Sequence, residues 1–596
     1  MTDYRAPTTD MRFTLEHVVG LGTLTSLDRF SHIDQDLLTG ILDEASRFAG
    51  EVIAPLAAVG DTIGAVHNSD GTVTTPPGYR EAYQQFVEAG WPAAGFPEAI
   101  GGGGLPWVIA SALQEMIIAA DMSFALCPML TGGTVDMLVQ HGSDEQRAAY
   151  LDKLVTSEWT GTMVLTEPQA GSDVGALITK ATPADDGTYR IKGNKIFISW
   201  GEHDLTENII HIVLARTPDA PPGTKGISCF IVPKFLVEAD GSLGERNDIT
   251  CVSIEHKIGI HSSPTCALSF GDAGDGAIGY LIGEENQGMR YMFTMMNEAR
   301  LSVGVEGLAS SDRSYQQSAR YAMDRLQGRT LGGPRGEAAP IIKHPDVRRM
   351  LMLMRSNIEA MRGLLYSNAL AIEESRYLTD EDARREAGNL AAILTPISKA
   401  WATDLSVELT SLGIQIHGGA GYVEETGVAQ WWRNARITPI YEGTNGIQAQ
   451  DLAMRRIPLE SGDAIRKLLE MVAAEASSLE GDLKPIGEQL LAAVEACGQV
   501  TMTFGTWLLE EKYDDVLAGA TPYLKMMGDT LGGWILAKGA RAAAEGPDGY
   551  SEEFLADRIA SASFYAEHIL PTVPGLASSA TAGAAGLYEI DEARFA

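Results

Sequence analysis

The sequence predicts an α+β fold of the segregated kind: a helical domain, a β domain, a helical bundle and a further helical block. Three observations predict it. Runs rich in β-branched residues are confined to 160–283. Helical periodicity dominates on both sides of that segment. The two patterns do not alternate, as a parallel βαβ sheet would require. At 596 residues with 45% apolar composition, the chain is also too long for a single core.

Residues 1–40 read as an N-terminal arm of mixed character. Segment 41–159 reads as an N-terminal helical domain, interrupted by Gly101-Gly102-Gly103-Gly104-Leu105-Pro106. Neither a helix nor a strand accommodates such a glycine run cheaply. Its most apolar stretch, Trp107 to Leu130, is broken by Gln114-Glu115 and Asp121. That is too interrupted to span a bilayer and reads as one buried helix.

In 160–283, Tyr189 to Ile198 reads as two short strands around a Gly193-Asn194 turn. Ile209–Ala215, Gly226–Pro233, Ala267–Phe270 and Gly279–Ile282 continue the β pattern. In 284–458, Val347, Leu351, Met354, Ile358, Met361 and Leu365 recur at spacings of three and four. They share one helix face, and Pro345 suits its first turn. In 459–596, Leu490, Val494, Cys497, Phe504 and Leu508 form another stripe. From Pro571 onward the Ala, Gly and Ser content predicts extended or loosely packed chain.

Composition excludes several classes. A net charge of -34 repels nucleic acid phosphates and anionic headgroups. The five cysteines are odd in number, widely spaced and contain no CxxC. Neither a disulfide framework nor a metal site is expected, and a reducing cytoplasm fits. No apolar run follows Met1, so no secretory signal is expected. Gly20-Leu21-Gly22 has no preceding strand, and neither a Walker lysine loop nor GxSxG occurs.

Two segments carry chemistry. Thr166-Glu167-Pro168-Gln169-Ala170-Gly171-Ser172-Asp173 opens the β domain, and Ile440-Tyr441-Glu442-Gly443-Thr444-Asn445-Gly446 closes the bundle. Each sets hydroxyls and glycines around an acid, and small residues let a flat or charged ligand reach backbone amides. The plainer alternatives are turn or cap roles for Thr166 and Ser172, a helix C-cap at Gly418, Gly419 and Gly421, and a solvated Arg325.

The order TEPxAGSD, KxFIS, KxGIxxSPTC, QIxGGxGY and IYEGTNGIQ resembles the acyl-CoA dehydrogenase family over roughly 80–455. The whole plan is similar to its large subgroup, which includes 3-methylthiopropanoyl-CoA dehydrogenases. The resemblance implies a three-domain core with FAD held between domains and across a subunit boundary, plus an extra C-terminal helical domain. Glu442 would be the base that removes the substrate's α-proton. Met163, Leu165, Thr166, Ser172, Phe197, Ile198 and Ser199 would line the FAD from the β domain. Arg325 and Thr444 would meet its pyrophosphate, and Gln415, Gly418 and Gly419 its adenine half. Ser172, Asn297, Arg300, Tyr441 and Gly443 would contact the acyl-CoA substrate.

A carboxylate in water, with a pKa near ~4.3, is too weak for a thioester α-C–H. Excluding water behind the acyl chain is expected to raise it. Glu298 is the rival base: some members carry the carboxylate beside Arg300, where this chain has Ala299, and a one-residue shift reaches Glu298. Gly446, Ala420 and Asn297 depart from common family residues. The resemblance further implies an electron-transferring flavoprotein as acceptor and a homodimer. An acyl-CoA oxidase and an inactive acyl-CoA-binding scaffold remain as alternatives. Rapid reoxidation in air would mark the first, and a colourless protein the second.

Overall fold

The computed structural model describes residues 4–331 and 337–596, with the side chain of Asn297 also outside the described set. The chain forms two compact units. One comprises Arg47–Leu105 and Met116–Ser302; the other comprises, among the described residues, 4–46, Pro106–Glu115 and Val303–Ala596.

The first unit is organised by a mixed eight-stranded sheet. Its strands run in the order Ile249–Ile254, Thr265–Phe270, Tyr189–Ser199, Ala277–Leu281, Ser228–Pro233, Ile209–Ala215 and Thr160–Val164, with Lys180–Pro183 beside Tyr189–Ser199. Thr160–Val164 and Ile209–Ala215 are parallel, and the other pairs are antiparallel. Ile191, Ile198, Val213, Phe230, Val232 and Leu268 fill one core of this sheet.

Two expectations fail here for identifiable reasons. Tyr189–Ser199 is one eleven-residue strand, not two strands around a turn. Gly193 stays in the strand because a Cβ there would lie 2.4 Å from Thr179 Oγ1, a close approach of neighbouring chain. The apolar stretch from Trp107 is two helices, Trp107–Ala120 and Met122–His141. Asp121 divides them, and its carboxylate accepts from the backbone N–H of Ser123 (2.9 Å) and Phe124 (3.3 Å) as an N-cap. Met122–His141 is apolar and long enough to cross a membrane, but 67% of its 18-residue apolar window is buried inside the protein. It packs on Thr160–Val164, where Gly161 leaves room for Thr134.

The glycine run is a loop folded on Phe96. Gly102 is pressed against it so closely that a Cβ would lie 2.0 Å from the Phe96 carbonyl oxygen. Backbone cannot yield as a side-chain tip can, so Gly102→Ala is expected to destabilise by about 1–3 kcal/mol. A lowered Tm in a thermal melt checks this, and an unchanged Tm refutes it.

The second unit holds three long helical segments: the Val303-onward part of Gly288–Asp324, Pro345–Tyr377 and Glu381–His417. Pro345 occupies the first turn of its helix, where its missing N–H is harmless. The C-terminal block adds Asp463–Ser478, Lys484–Leu509, Tyr513–Glu545 and Glu552–His568. Trp401 joins the two sets of helices. Its ring lies against Gly528 and Gly532, and its indole N–H donates to Asp529 Oδ1 at 2.9 Å.

The residues expected as an N-terminal arm are packed chain. Met11, Phe13 and Leu15 are fully buried. Arg558 donates to Asp10 Oδ1 (3.0 Å) and Thr14 Oγ1 (3.1 Å), tying both ends of the sequence together. The segment after Pro571, expected as loose, instead begins with the helix Val573–Ala580, whose Val573 and Ala580 are fully buried. Small residues can pack closely as well as run free. The last stretch, from Ala585, is exposed throughout.

Candidate active site

In the first unit, the chemistry-bearing loop follows strand Thr160–Val164. Glu167 is its anchor. The carboxylate is 2% exposed, meets Lys195 Nζ at 2.9 Å, and accepts from the backbone of Ile178 (2.7 Å) and Thr179 (3.0 Å). Burial alone would raise this acid. The Lys195 charge and the hydrogen bonds outweigh burial and hold it at about 2. Lys195 also donates to the Leu165 carbonyl at 2.8 Å, so one buried cation fixes the residues on both sides of Thr166.

Thr166 is half-buried, and its carbonyl accepts the Ile196 N–H at 3.0 Å. Its hydroxyl and that of Ser199 have no protein partner among the described residues. Met163 and Leu165 are half-buried beside them. Phe197 is 58% exposed and takes a left-handed φ of 59°; Trp200 does the same at 55°. Such backbone is strained for bulky residues and persists where the surroundings impose it. Ile198 turns the other way and is buried in the sheet core, so its side chain is not available to a ligand. Ser172 is exposed on the same loop. Arg300 and Glu298 are buried on the Gly288–Asp324 helix. Asn297 is a candidate whose side chain lies outside the described residues.

In the second unit, Glu442 sits in a turn before the short helix Asn445–Asp451. It too is left-handed, at φ 55°, and Gly443 follows at φ 80°. Thr444 caps the helix, accepting from the Ile447 N–H at 3.3 Å. Buried Gln448 donates to the Glu442 carbonyl at 3.3 Å. Asn445 closes the turn by accepting from Lys399 Nζ (2.8 Å) and donating to Asp404 Oδ1 (2.7 Å). The Tyr441 hydroxyl donates to Glu306. Gln415, Gly418 and Gly419 lie exposed at the end of the Glu381–His417 helix, and Arg325 is exposed beyond Asp324. His417 is packing: its ring stacks on Tyr321 with centroids 4.3 Å apart, and Nδ1 bonds the Gly413 carbonyl at 2.7 Å.

Sequence reasoning missed Glu306 and Lys399 and gave Asn445 no role of its own. The first two had a local signal. Glu306 and Lys399 are single charges inside the apolar stretches Val303–Leu308 and Ile393–Ala402, and buried charge needs a partner.

Family models match the chain along most of its length. They are the acyl-CoA dehydrogenase N-terminal domain (38–158), middle domain (162–273) and C-terminal domain (286–457), followed by an acetyl-CoA dehydrogenase C-terminal-like domain (463–591). The chain is 46% identical over 574 residues to 3-methylmercaptopropionyl-CoA dehydrogenase of Ruegeria pomeroyi, covering 95% of this chain and 96% of that protein. Among solved structures it resembles Caenorhabditis elegans ACDH-11 in complex with C11-CoA, with TM-score 0.77 and 21% identity over 96% of this chain and 92% of that one. It also resembles an acyl-CoA dehydrogenase complexed with FAD from Bacillus anthracis, with TM-score 0.70 and 20% identity over 92% and 88%.

Proposed function

The chain belongs to the acyl-CoA dehydrogenase family, and we propose that Glu442 is the base with which it oxidises a short acyl thioester. The enzyme is an oxidoreductase acting on CH–CH groups, with FAD as cofactor. The residues of the β domain suit that cofactor: an exposed aromatic ring at Phe197, half-buried Met163 and Leu165, and the hydroxyls of Thr166 and Ser199, without a partner among the described residues, offer an apolar face edged with hydrogen-bonding groups. FAD supplies the acceptor for the β-hydrogen, taken as hydride. Glu442 would accept the α-proton, and its own backbone N–H would steady the thioester oxygen where charge develops. The observation that carries this reading is the carboxylate of Glu442 on left-handed backbone in a Glu-Gly-Thr turn, with Gln448 bonded to the Glu442 carbonyl and Lys399 to the following Asn445.

The 46% identity supports a 3-methylmercaptopropionyl-sized acyl group as substrate. The same reading has electrons leave to an electron-transferring flavoprotein, from a homodimer in the cytoplasm. Arg325, Gln415, Gly418, Gly419 and Thr444 remain candidates for the FAD pyrophosphate and adenine half, and Ser172, Arg300, Tyr441 and Gly443 for the substrate.

Anaerobic mixing of the yellow protein with butanoyl-, octanoyl- and 3-methylmercaptopropionyl-CoA tests the reading. Bleaching of the oxidised flavin band is expected to be fastest with the 3-methylmercaptopropionyl thioester. Fastest bleaching with the octanoyl chain removes the short-chain reading, and no bleaching with any thioester removes the reaction. Reduced protein that reoxidises in air faster than with the flavoprotein acceptor is an oxidase.

A further inference from the structure

The reaction as described leaves one acid next to the base unused. Glu306 is 1% exposed on the Gly288–Asp324 helix. The Tyr441 hydroxyl donates to one of its oxygens. The other oxygen, Oε1, is buried without a hydrogen-bond partner among the described residues. The titratable and charged groups facing it are Tyr441 and Glu442 from the turn and Lys399 from the Glu381–His417 helix. Glu306 is therefore tied to residue 441 by a hydrogen bond and coupled to residue 442 by charge.

We propose that Glu306 is a positioning residue for the base, staying protonated while Glu442 is ionised and anchoring Tyr441 so that the turn holds Glu442 in its left-handed conformation. The proposal rests on the reading of Glu442 as the base. Two ionised carboxylates facing each other in a buried site are unfavourable, so such a pair holds one charge over a wide pH range and loses its second proton late. Burial pushes Glu306 up to about 8; the Tyr441 hydroxyl pulls it down, the charge of Glu442 adds to the rise, and Lys399 opposes it. An unpaired buried oxygen is also tolerated better on a neutral acid than on a carboxylate.

The sign of the pH effect follows. Once Glu306 ionises, its negative charge makes Glu442 hold a proton more tightly, so the base becomes stronger. Flavin reduction in the wild type is then expected to show two steps: an acid limb set by Glu442, and a further several-fold rise above pH about 8 as Glu306 loses its proton. Glu306→Gln keeps an oxygen for the Tyr441 hydroxyl but cannot ionise.

The test records pH profiles of anaerobic flavin reduction for the wild type, Glu306→Gln, Tyr441→Phe and Glu442→Gln. A second readout is the infrared wild-type-minus-Glu306→Gln difference spectrum of the folded proteins at pH 7. Glu306→Gln is expected to lose the alkaline step and keep the acid limb. Tyr441→Phe, lacking the O–H that stabilises the charged form, is expected to move that step to higher pH. The difference spectrum is expected to contain a protonated-carboxyl band that titrates away above pH about 8. A two-step profile retained in Glu306→Gln, an alkaline step unmoved in Tyr441→Phe, or no such band overturns the role of Glu306. If instead Glu442→Gln reduces its flavin at the wild-type rate, the base assignment fails and not this inference alone.

Discussion

Glu442→Gln is expected to slow anaerobic flavin bleaching by the best acyl thioester about 10²- to 10⁴-fold, while the protein stays yellow and folded. The amide matches the carboxylate in shape and leaves the backbone of the turn unchanged. Several contacts that shape the turn are made by other atoms. Gln448 holds the Glu442 carbonyl, and Thr444 caps the following helix. Lys399 and Asp404 hold Asn445. What the variant loses is the capacity to accept a proton. The effect should therefore fall on the reduction rate constant and spare thioester binding, the pattern of an interaction made only in the transition state. Glu298→Gln is the comparison. It is buried on the same helix as Arg300, and it should bleach at close to the wild-type rate. Bleaching that survives Glu442→Gln and is lost in Glu298→Gln moves the base to the earlier helix.

Lys195→Met is expected to destabilise the β domain by about 3–5 kcal/mol, because it leaves Glu167 ionised and uncompensated in the interior. Both side chains are almost fully buried, at 0% and 2% exposure, and their charged atoms lie 2.9 Å apart. Burial pulls Lys195 down to about 8 even with Glu167 beside it. The ammonium thus counts against folding at neutral pH, whereas the carboxylate, held at about 2, counts for it. For the acid, the stabilisation is present above the usual carboxylate range and is lost as pH falls toward 2. The pair acts as a lock on the geometry of the Thr166 loop more than as a net source of stability. Replacing both partners by apolar residues, as in Glu167→Leu with Lys195→Met, should recover much of the loss. Thermal melts read the stability, and retained flavin colour reads the loop. A single Lys195→Met variant with an unchanged Tm refutes this account.

Legibility varied with how local the deciding interaction was. The helix at Pro345 and the strands Ile209–Ala215 and Ser228–Pro233 were readable because period and punctuation act within a few residues. Tyr189–Ser199 was misread because a Gly-Asn pair is a turn signal. Here the glycine serves a neighbour instead, admitting Thr179 where a Cβ would collide. Asp121 was read as a mere interruption of an apolar helix, yet it is the cap that starts a new one. The first forty residues gave no sign of their partner, because Asp10 and Thr14 meet Arg558 from the other end of the chain.

The sequence by itself determined the segregated order of helical and β segments, and it placed an acid, a glycine and a threonine in one turn at 442–444. Those properties are carried by residues adjacent along the chain. Only the tertiary structure decided what surrounds that acid. Tyr441 meets Glu306 across 135 residues, and Lys399 reaches Asn445 across 46. Likewise the acid of the Thr166 motif became an anchor once Lys195, 28 residues on, was buried against it. Proton affinity depends on burial and on which charges lie within a few ångströms, and folding, not spacing along the chain, brings those charges together.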